Sequence, residues 1–343
     1  MGFAKRGIWR YKEVMTVSPL CRIVGVGHSL PNAPIRNAAL IAQHGLESTP
    51  EWIESRTGIQ QRYFVQAGQT TSTLATAAAQ VALVQAGLTA SQIQAVLVAT
   101  CTPDYTFPSV AALVQAALGV PAGAVALDVN AACSGFIAAL SLAQGFFATQ
   151  PQLQHVLVIG AETFSNVLDF TDRSTCVLFG DGAGAVVLSR TAAGETRGLL
   201  NIAQGADGTQ AALLHSQHGV ARGRQAGTVQ MQGAAVFKHA VRQMGDRVQA
   251  EALLAQSGNS LAEVQWLVPH QANARILEAA AVALEFPTSK VISTVGQHAN
   301  TSAASIPLAL SVAAHEGKLK PGQLILLQAF GAGFTWGAAS LIW

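Results

Sequence analysis

The thiol of Cys133 is the group in this sequence best placed to do covalent chemistry. It lies in Ala131-Ala132-Cys133-Ser134-Gly135, a run of small residues. Before it comes an apolar stretch ending in Asp128-Val129-Asn130, and after it Phe136, Leu140 and Phe147 recur at roughly helical spacing. The pattern predicts a buried strand, a tight turn and a helix whose first turn carries the thiol. A thiol there feels the positive end of the helix dipole, which lowers its pKa. Small neighbours admit a substrate, and Gly135 lets two backbones pack closely. This is the setting of a nucleophile. It is equally the setting of a structural cysteine, since free Cys packs as a small hydrophobe, and the stretch alone leaves both readings open.

Two nitrogen-bearing side chains are the next candidates. Pro269 ends an apolar strand and presents His270 on a fixed turn, in Pro269-His270-Gln271-Ala272-Asn273. Asn300 precedes a second run of small residues, Thr301 to Ser305. In a third stretch, Ser48 and Thr49 stand ahead of Glu51 as a capping pattern. The helix it starts would carry Trp52 and Arg56 on one face. An exposed Trp beside Arg can stack on a flat ring and hold phosphate; a core Trp is the competing reading.

Positioning these groups requires elements that repeat. GLTASQIQAVLVA (87–99) resembles GNSLAEVQWLVPH (258–270). FGDGAGAVVL (179–188) resembles FGAGFTWGAASLI (330–342). The strand, turn and helix at Cys133 have a counterpart in KVISTVGQHANTSAASIPLAL (290–310). Two similar α/β halves imply a pseudo-twofold, and alternating strands and helices imply sheets covered by helices. Ligand groups gather beyond the carboxyl ends of strands in such sheets, so the twofold would bring His270 and Asn300 opposite Cys133. The expected division is an N-terminal extension over residues 1–20, either disordered or the product of an upstream start, then halves over 21–193 and 194–343.

Composition excludes several classes. The chain has 343 residues, half of them hydrophobic and 11% charged, which suits a large packed interior and an oligomeric surface. A net charge of +2 with no basic run argues against nucleic acid as a partner. Four separated cysteines without a CxxC pair argue against a disulfide framework or a metal site and fit a reducing cytoplasm. No apolar run reads as a membrane span, and the basic start lacks the apolar core of a secretory signal. Gly25-Val26-Gly27 lacks the third glycine of a nucleotide fingerprint. FGDGAGA lacks the Lys-Ser/Thr of a phosphate loop, so its glycines read as backbone packing.

Together, DVNAACSGF, VPHQANARI, HANTSAAS and FGAGFTWGAA, with EWIESRTGI and FTDRST, resemble the β-ketoacyl-acyl-carrier-protein synthase III family of the thiolase superfamily, from about Arg22 onward. The resemblance implies an α/β fold of five layers, αβαβα, and a homodimer. It implies condensation of an acyl-CoA primer with malonyl-acyl carrier protein, with no metal and no cofactor beyond these substrates. Cys133 would carry the acyl group, with His270 and Asn300 as donors to the thioester oxygen of the decarboxylating unit and the backbone N–H groups of Cys133 and Ala332 as the second oxyanion hole. Trp52 and Arg173 would sandwich the adenine of CoA. Arg56 would contact its phosphates, and Phe237 and Phe330 would line its path. Phe107, from the partner, and Phe164 would close the acyl pocket, and a Phe at 164 favours a short primer such as acetyl-CoA. Gln271, Arg275 and Lys238 would meet the carrier protein.

Ala299 and Ala332 stand where close relatives commonly have Gly, at a cost of about 1 kcal/mol wherever the backbone is left-handed. The helix after Arg275 lacks the lysines often found there. Three functions compete: fatty-acid initiation, a secondary-metabolism acyltransferase or condensing enzyme with another acceptor, and a non-catalytic partner subunit. Intact Cys133, His270 and Asn300 argue against the last.

Overall fold

A computed structural model describes residues 18–223 and 227–343. Most of the expected N-terminal extension, through residue 17, lies outside the described residues. In the first half the elements are β1 (Cys21–Ser29), β2 (Pro34–Arg36), α1 (Asn37–His44), α2 (Pro50–Thr57), β3 (Gln61–Tyr63), α3 (Thr71–Ala86), β4 (Ala95–Ala99), α4 (Val110–Leu118), β5 (Val125–Val129), α5 (Gly135–Thr149), β6 (His155–Glu162), α6 (Arg173–Cys176) and β7 (Gly182–Arg190). In the second they are β8 (Gly198–Ala206), β9 (Leu214–Ser216), β10 (Val229–Met231), α7 (Gly233–Met244), α8 (Arg247–Ala255), β11 (Trp266–Pro269), α9 (Ala274–Ala283), α10 (Val295–His298), α11 (Ser305–His315), β12 (Leu324–Gly331) and β13 (Thr335–Ile342).

The first sheet has the order β1-β7-β6-β4-β5 and the second β11-β12-β13-β8. A parallel bridge from Leu267 to Val291 occupies, beside β11, the place that β5 holds beside β4. The orders are therefore the same, strand for strand, as the repeat in the sequence predicts. Helices α3 and α4 cover the outer face of the first sheet and α8 the outer face of the second, while α5 and α11 lie between the sheets. The result is five layers, αβαβα.

The middle layer corrects one sequence expectation. The helical segment Ala132–Thr149 is long and apolar enough to cross a membrane by length and composition. It has that character because sheets face it on two sides: Phe136, Ile137, Ala139 and Leu140 have no exposed surface. A helix apolar all round belongs either to a bilayer or to a deep core, and this one packs against β4, β6, β8 and β13. Gly25 and Gly27 serve a similar end. A Cβ at either would meet the α3 backbone oxygens of Ala82 or Ala78 at 2.2 and 2.3 Å, so they seat a helix and bind no nucleotide.

Candidate active site

Cys133 lies in a single 3-10 turn, Ala132–Ser134, that joins β5 to α5. Ala132 has φ 44°, and Asn130 Oδ1 accepts its N–H at 3.3 Å. The second half repeats this construction at Ser302, with φ 48° and its N–H donated to Asn300 Oδ1 at 2.9 Å. The pseudo-twofold thus equates Asn130 with Asn300, and Cys133 with Ala303. The turn packs so closely on β6 that residue 160 must be glycine, because a Cβ there would sit 2.2 Å from the Ala303 backbone oxygen. Gly331 of β12 is likewise required, since a Cβ there would stand 2.7 Å from the Cys133 nitrogen.

Burial dominates the electrostatics of the thiol. Cys133 is 6% exposed, and desolvation pushes it up to about 11, with the Glu162 carboxylate acting in the same direction. The Ser302 hydroxyl and the backbone N–H groups of Cys133 and Ala332 act against burial without overcoming it. The lowered pKa expected from the helix N-terminus is therefore not found, since removing a sulfur anion from water costs more than one helix end returns.

His270 follows β11, its N–H bonded to the Gln328 oxygen at 2.7 Å. The ring is 1% exposed, and burial holds it down at about 3, so it is neutral at pH 7. Its Nδ1 lies 2.7 Å from the Ser305 hydroxyl, which also accepts the Gln271 N–H. Nδ1 is the acceptor at hand for the Ser305 proton, which assigns the imidazole proton to Nε2. Asn300 is 7% exposed. Because its Oδ1 is held by the Ser302 N–H, its NH2 end is the one left to donate.

Cys133, His270 and Asn300 line one cavity of about 530 Å³. Trp52, Arg56, Arg173, Phe237, Arg275 and Phe330 line it too. The three arginines are exposed and the Cys, His and Asn buried, so the cavity runs from a cationic mouth to a polar floor. Thr49 caps α2 by accepting the Trp52 N–H at 3.1 Å, which fixes the helix that presents Trp52 and Arg56. The Arg173 guanidinium lies 5.0 Å from the Trp52 ring centre, and that of Arg275 lies 5.7 Å from Phe237. A flat ring and a polyanion fit such a mouth.

Other expected site residues lie elsewhere. Gln271 is 1% exposed. Its Nε2 donates to the Pro269 and Ile292 oxygens, and its Oε1 accepts the N–H groups of Thr294 and Val295. It is an internal strut, turned away from a carrier protein, because one backbone group at the end of β11 and three in the 292–295 segment need partners. Lys238 is exposed on α7, which packs on α9 with its exposed Arg275. Phe164 is buried away from the cavity wall, stacked on Phe179 with ring centres 4.6 Å apart, and Phe179 is the ring that lines the cavity. Phe107 is 83% exposed, two residues before the Ser109 cap of α4. Ala332 has an ordinary negative φ, but Ala299 has φ 58° and ψ −161°, so the expected strain falls on Ala299 alone. Sequence reasoning missed Phe179, Ser302 and Glu162. Only the small-residue turn around Ser302, parallel to that at Cys133, signalled any of them.

Comparison with known proteins agrees with this geometry. The family described as 3-oxoacyl-[acyl-carrier-protein] synthase III matches residues 127–208, and its C-terminal counterpart matches 254–343. A beta-ketoacyl-[acyl-carrier-protein] synthase III of Rhodobacter capsulatus is 49% identical over 332 residues, covering 96% of this chain and all of the relative. One from Bordetella petrii is 52% identical over 321 residues, covering 92% of this chain and 96% of the relative. The crystal structure of the Aquifex aeolicus synthase III superposes with a TM-score of 0.87 at 42% identity, covering 94% of this chain and all of that one. With identity near one half over almost the whole length, this chain belongs to the β-ketoacyl-acyl-carrier-protein synthase III family.

Proposed function

We propose that this protein condenses an acyl-CoA primer with malonyl-acyl carrier protein to give a 3-oxoacyl-acyl carrier protein, the initiating step of fatty-acid synthesis, through an acyl thioester on Cys133. The observation that carries the reading is the pairing of a neutral His270 and an oriented Asn300 amide with Cys133 in one cavity. Acyl-CoA enters with its ring system at Trp52 and Arg173 and its phosphates near Arg56. Cys133 attacks the thioester carbonyl, and the N–H groups of Cys133 and Ala332 stabilise the tetrahedral oxyanion. CoA leaves, and the malonyl unit takes its place. Its thioester oxygen accepts from His270 Nε2–H and the Asn300 NH2, which stabilise the enolate formed as CO2 departs. Neutral donors suit this step, since no proton leaves the malonyl carbon. The enolate carbon then attacks the acyl-Cys133 carbonyl and releases the sulfur.

The reaction requires no cofactor. The Phe179 ring, backed by Phe164, favours a short primer such as acetyl-CoA. Arg275 and Lys238 present the positive charge that an acidic carrier protein would meet. The open edge of β5, with Leu127 43% exposed, and the 83% exposed Phe107 favour a homodimer, for which a doubled mass in solution is the expected result. Four free thiols fit a reducing cytoplasm.

Incubation with labelled acyl-CoA and then malonyl-acyl carrier protein tests the reading. The expected result is a mass increment on Cys133 that is discharged with CO2 release. An increment without CO2 release would instead indicate a different acceptor, as in a secondary-metabolism acyltransferase. No increment would remove the reading altogether.

A further inference from the structure

The turn that carries Asn300 is anchored in a way that its pseudo-twofold mate is not. In the first half the left-handed residue is Ala132, whose N–H reaches Asn130 Oδ1 at 3.3 Å and whose methyl group makes no hydrogen bond. In the second half Ser302 takes that place. Its N–H reaches Asn300 Oδ1 at 2.9 Å, and its hydroxyl donates to Glu162 Oε1 at 3.1 Å. Asn130 is exposed and has no part in the chemistry above, whereas Asn300 is buried and lines the cavity. The extra bond thus belongs to the asparagine that the reaction uses.

Glu162, the last residue of β6, suits an anchor. It has no exposed surface. Besides Ser302, its Oε1 accepts the Cys101 thiol at 3.2 Å. Its Oε2 accepts the hydroxyls of Thr102 at 2.5 Å and Thr100 at 3.3 Å, and the Cys101 N–H reaches both oxygens at 3.2 Å. The two threonines are fixed in turn. The Thr100 hydroxyl accepts the Thr102 N–H at 3.1 Å, and the Thr102 hydroxyl accepts the Thr163 N–H at 2.9 Å. Every neighbour donates to Glu162, so both of its ends must accept, which a carboxylate does and an amide does not. A carboxylate buried without a cation is costly, and nothing in the packing of β6 requires one.

We propose that Ser302, held by Glu162, is a positioning residue that aims the Asn300 amide at the malonyl thioester oxygen. The backbone of Asn300 is already tied down, its N–H to the Leu178 oxygen and its oxygen to the Gly180 N–H, both at 3.0 Å. What remains to be set is the amide plane, and the Ser302 N–H sets it by holding Oδ1. That N–H stays in place only while Ser302 keeps φ 48°, a conformation that a residue with a Cβ disfavours. The bond to Glu162 opposes relaxation. Without it Ser302 can turn towards ordinary backbone angles, Oδ1 loses its donor, and the amide is free to rotate its NH2 away from the substrate. The enolate oxygen would then meet one aimed donor, His270 Nε2–H, in place of two, and donors stabilise developing charge only when aimed in advance. In this role neither Ser302 nor Glu162 touches the malonyl unit or exchanges a proton.

The inference rests on the acyl-Cys133 reading, and its test can fail separately from it. Full-length protein is acylated on Cys133 with labelled acyl-CoA and freed of CoA. Malonyl-acyl carrier protein is then added, and loss of the label is timed together with CO2 release. Starting from acylated protein keeps any change in thiol ionisation out of the rate. N300A, which deletes the donor, should slow discharge roughly a hundredfold or more. S302A keeps the donor and removes its anchor, and should slow discharge about tenfold with KM for malonyl-acyl carrier protein unmoved. Alanine already occupies the equivalent left-handed position at Ala132, so S302A is expected to fold. The double variant should discharge no more slowly than N300A, because the hydroxyl acts through the amide. S302A at the wild-type rate overturns the inference, and so do effects that multiply, which mark a general loosening of the site. E162M, similar in volume but without an acceptor, should slow discharge at least as much as S302A, and adding S302A to it should slow it no further. Discharge by E162M at the wild-type rate overturns the part given to Glu162. Should E162M fail to fold, E162Q takes its place in the same comparison, since its single oxygen cannot accept from both the threonines and Ser302. If wild-type Cys133 takes no acyl group, it is the proposed function that fails.

Discussion

Replacing Gln271 with Met separates an internal strut from a docking residue. The two side chains have similar volume, so packing is nearly kept, but Met has no amide. Four buried backbone groups then lose their partners: the oxygens of Pro269 and Ile292, bonded at 2.7 and 3.1 Å, and the N–H groups of Thr294 and Val295, bonded at 2.7 and 3.2 Å. Each unsatisfied buried group costs roughly 1–3 kcal/mol. The two longer bonds are worth less, and the added apolar burial offsets about 1 kcal/mol. A net loss of about 3 kcal/mol follows. At roughly 2.1 cal/mol/K per residue the unfolding entropy of this chain lowers Tm by about 1.4 °C per kcal/mol, so Tm should fall by about 4 °C. Gln271 also ties the end of β11, next to His270, to the segment that leads into Asn300. Loosening it should lower kcat while leaving KM for the carrier protein unchanged. Thermal unfolding and steady-state kinetics on the variant check both points. An unchanged Tm with a raised KM for the carrier protein would show that Gln271 docks the carrier after all.

Three further outcomes are expected. Trp52→Ala should raise KM for acyl-CoA about tenfold, from the roughly 1–3 kcal/mol of base stacking, with KM for malonyl-acyl carrier protein unmoved; equal effects on both refute an adenine platform. The His270 ring, held down at about 3 by burial, should show no NMR titration between pH 8 and 5. Its folded value lies below the unfolded one, so between about pH 6.5 and 3 the unfolded chain binds the proton and this residue's contribution to stability falls as pH falls. A midpoint near 6.5 would refute its burial as a neutral donor. Phe164→Leu should widen the range of primers accepted by freeing Phe179 to turn, measured as acylation rates across a panel of acyl-CoAs, and unchanged selectivity counts against that coupling.

The chemistry-bearing side chains were legible in the sequence because residue type limits what an atom can do. A thiol among small residues, a His after a strand-ending Pro and an Asn before a small-residue turn have few uses together. The duplicated pattern was legible for a related reason, since each half must bury the same apolar periodicities. What the sequence could not convey was the surroundings of each group, because burial is a sum over residues distant along the chain. Only the tertiary structure decided that Cys133 sits where desolvation outweighs the helix end, and that Gln271, beside His270 in sequence, faces the interior. It also placed Phe164 one ring behind the cavity wall and turned a membrane-like apolar helix into the middle layer. The meeting of Glu162 and Ser302, 140 residues apart, follows from packing β6 against the turn before α11, and no local pattern marks it. Residue types set which reactions the chain can support; distance and dielectric, which only folding supplies, set the protonation state in which those residues wait.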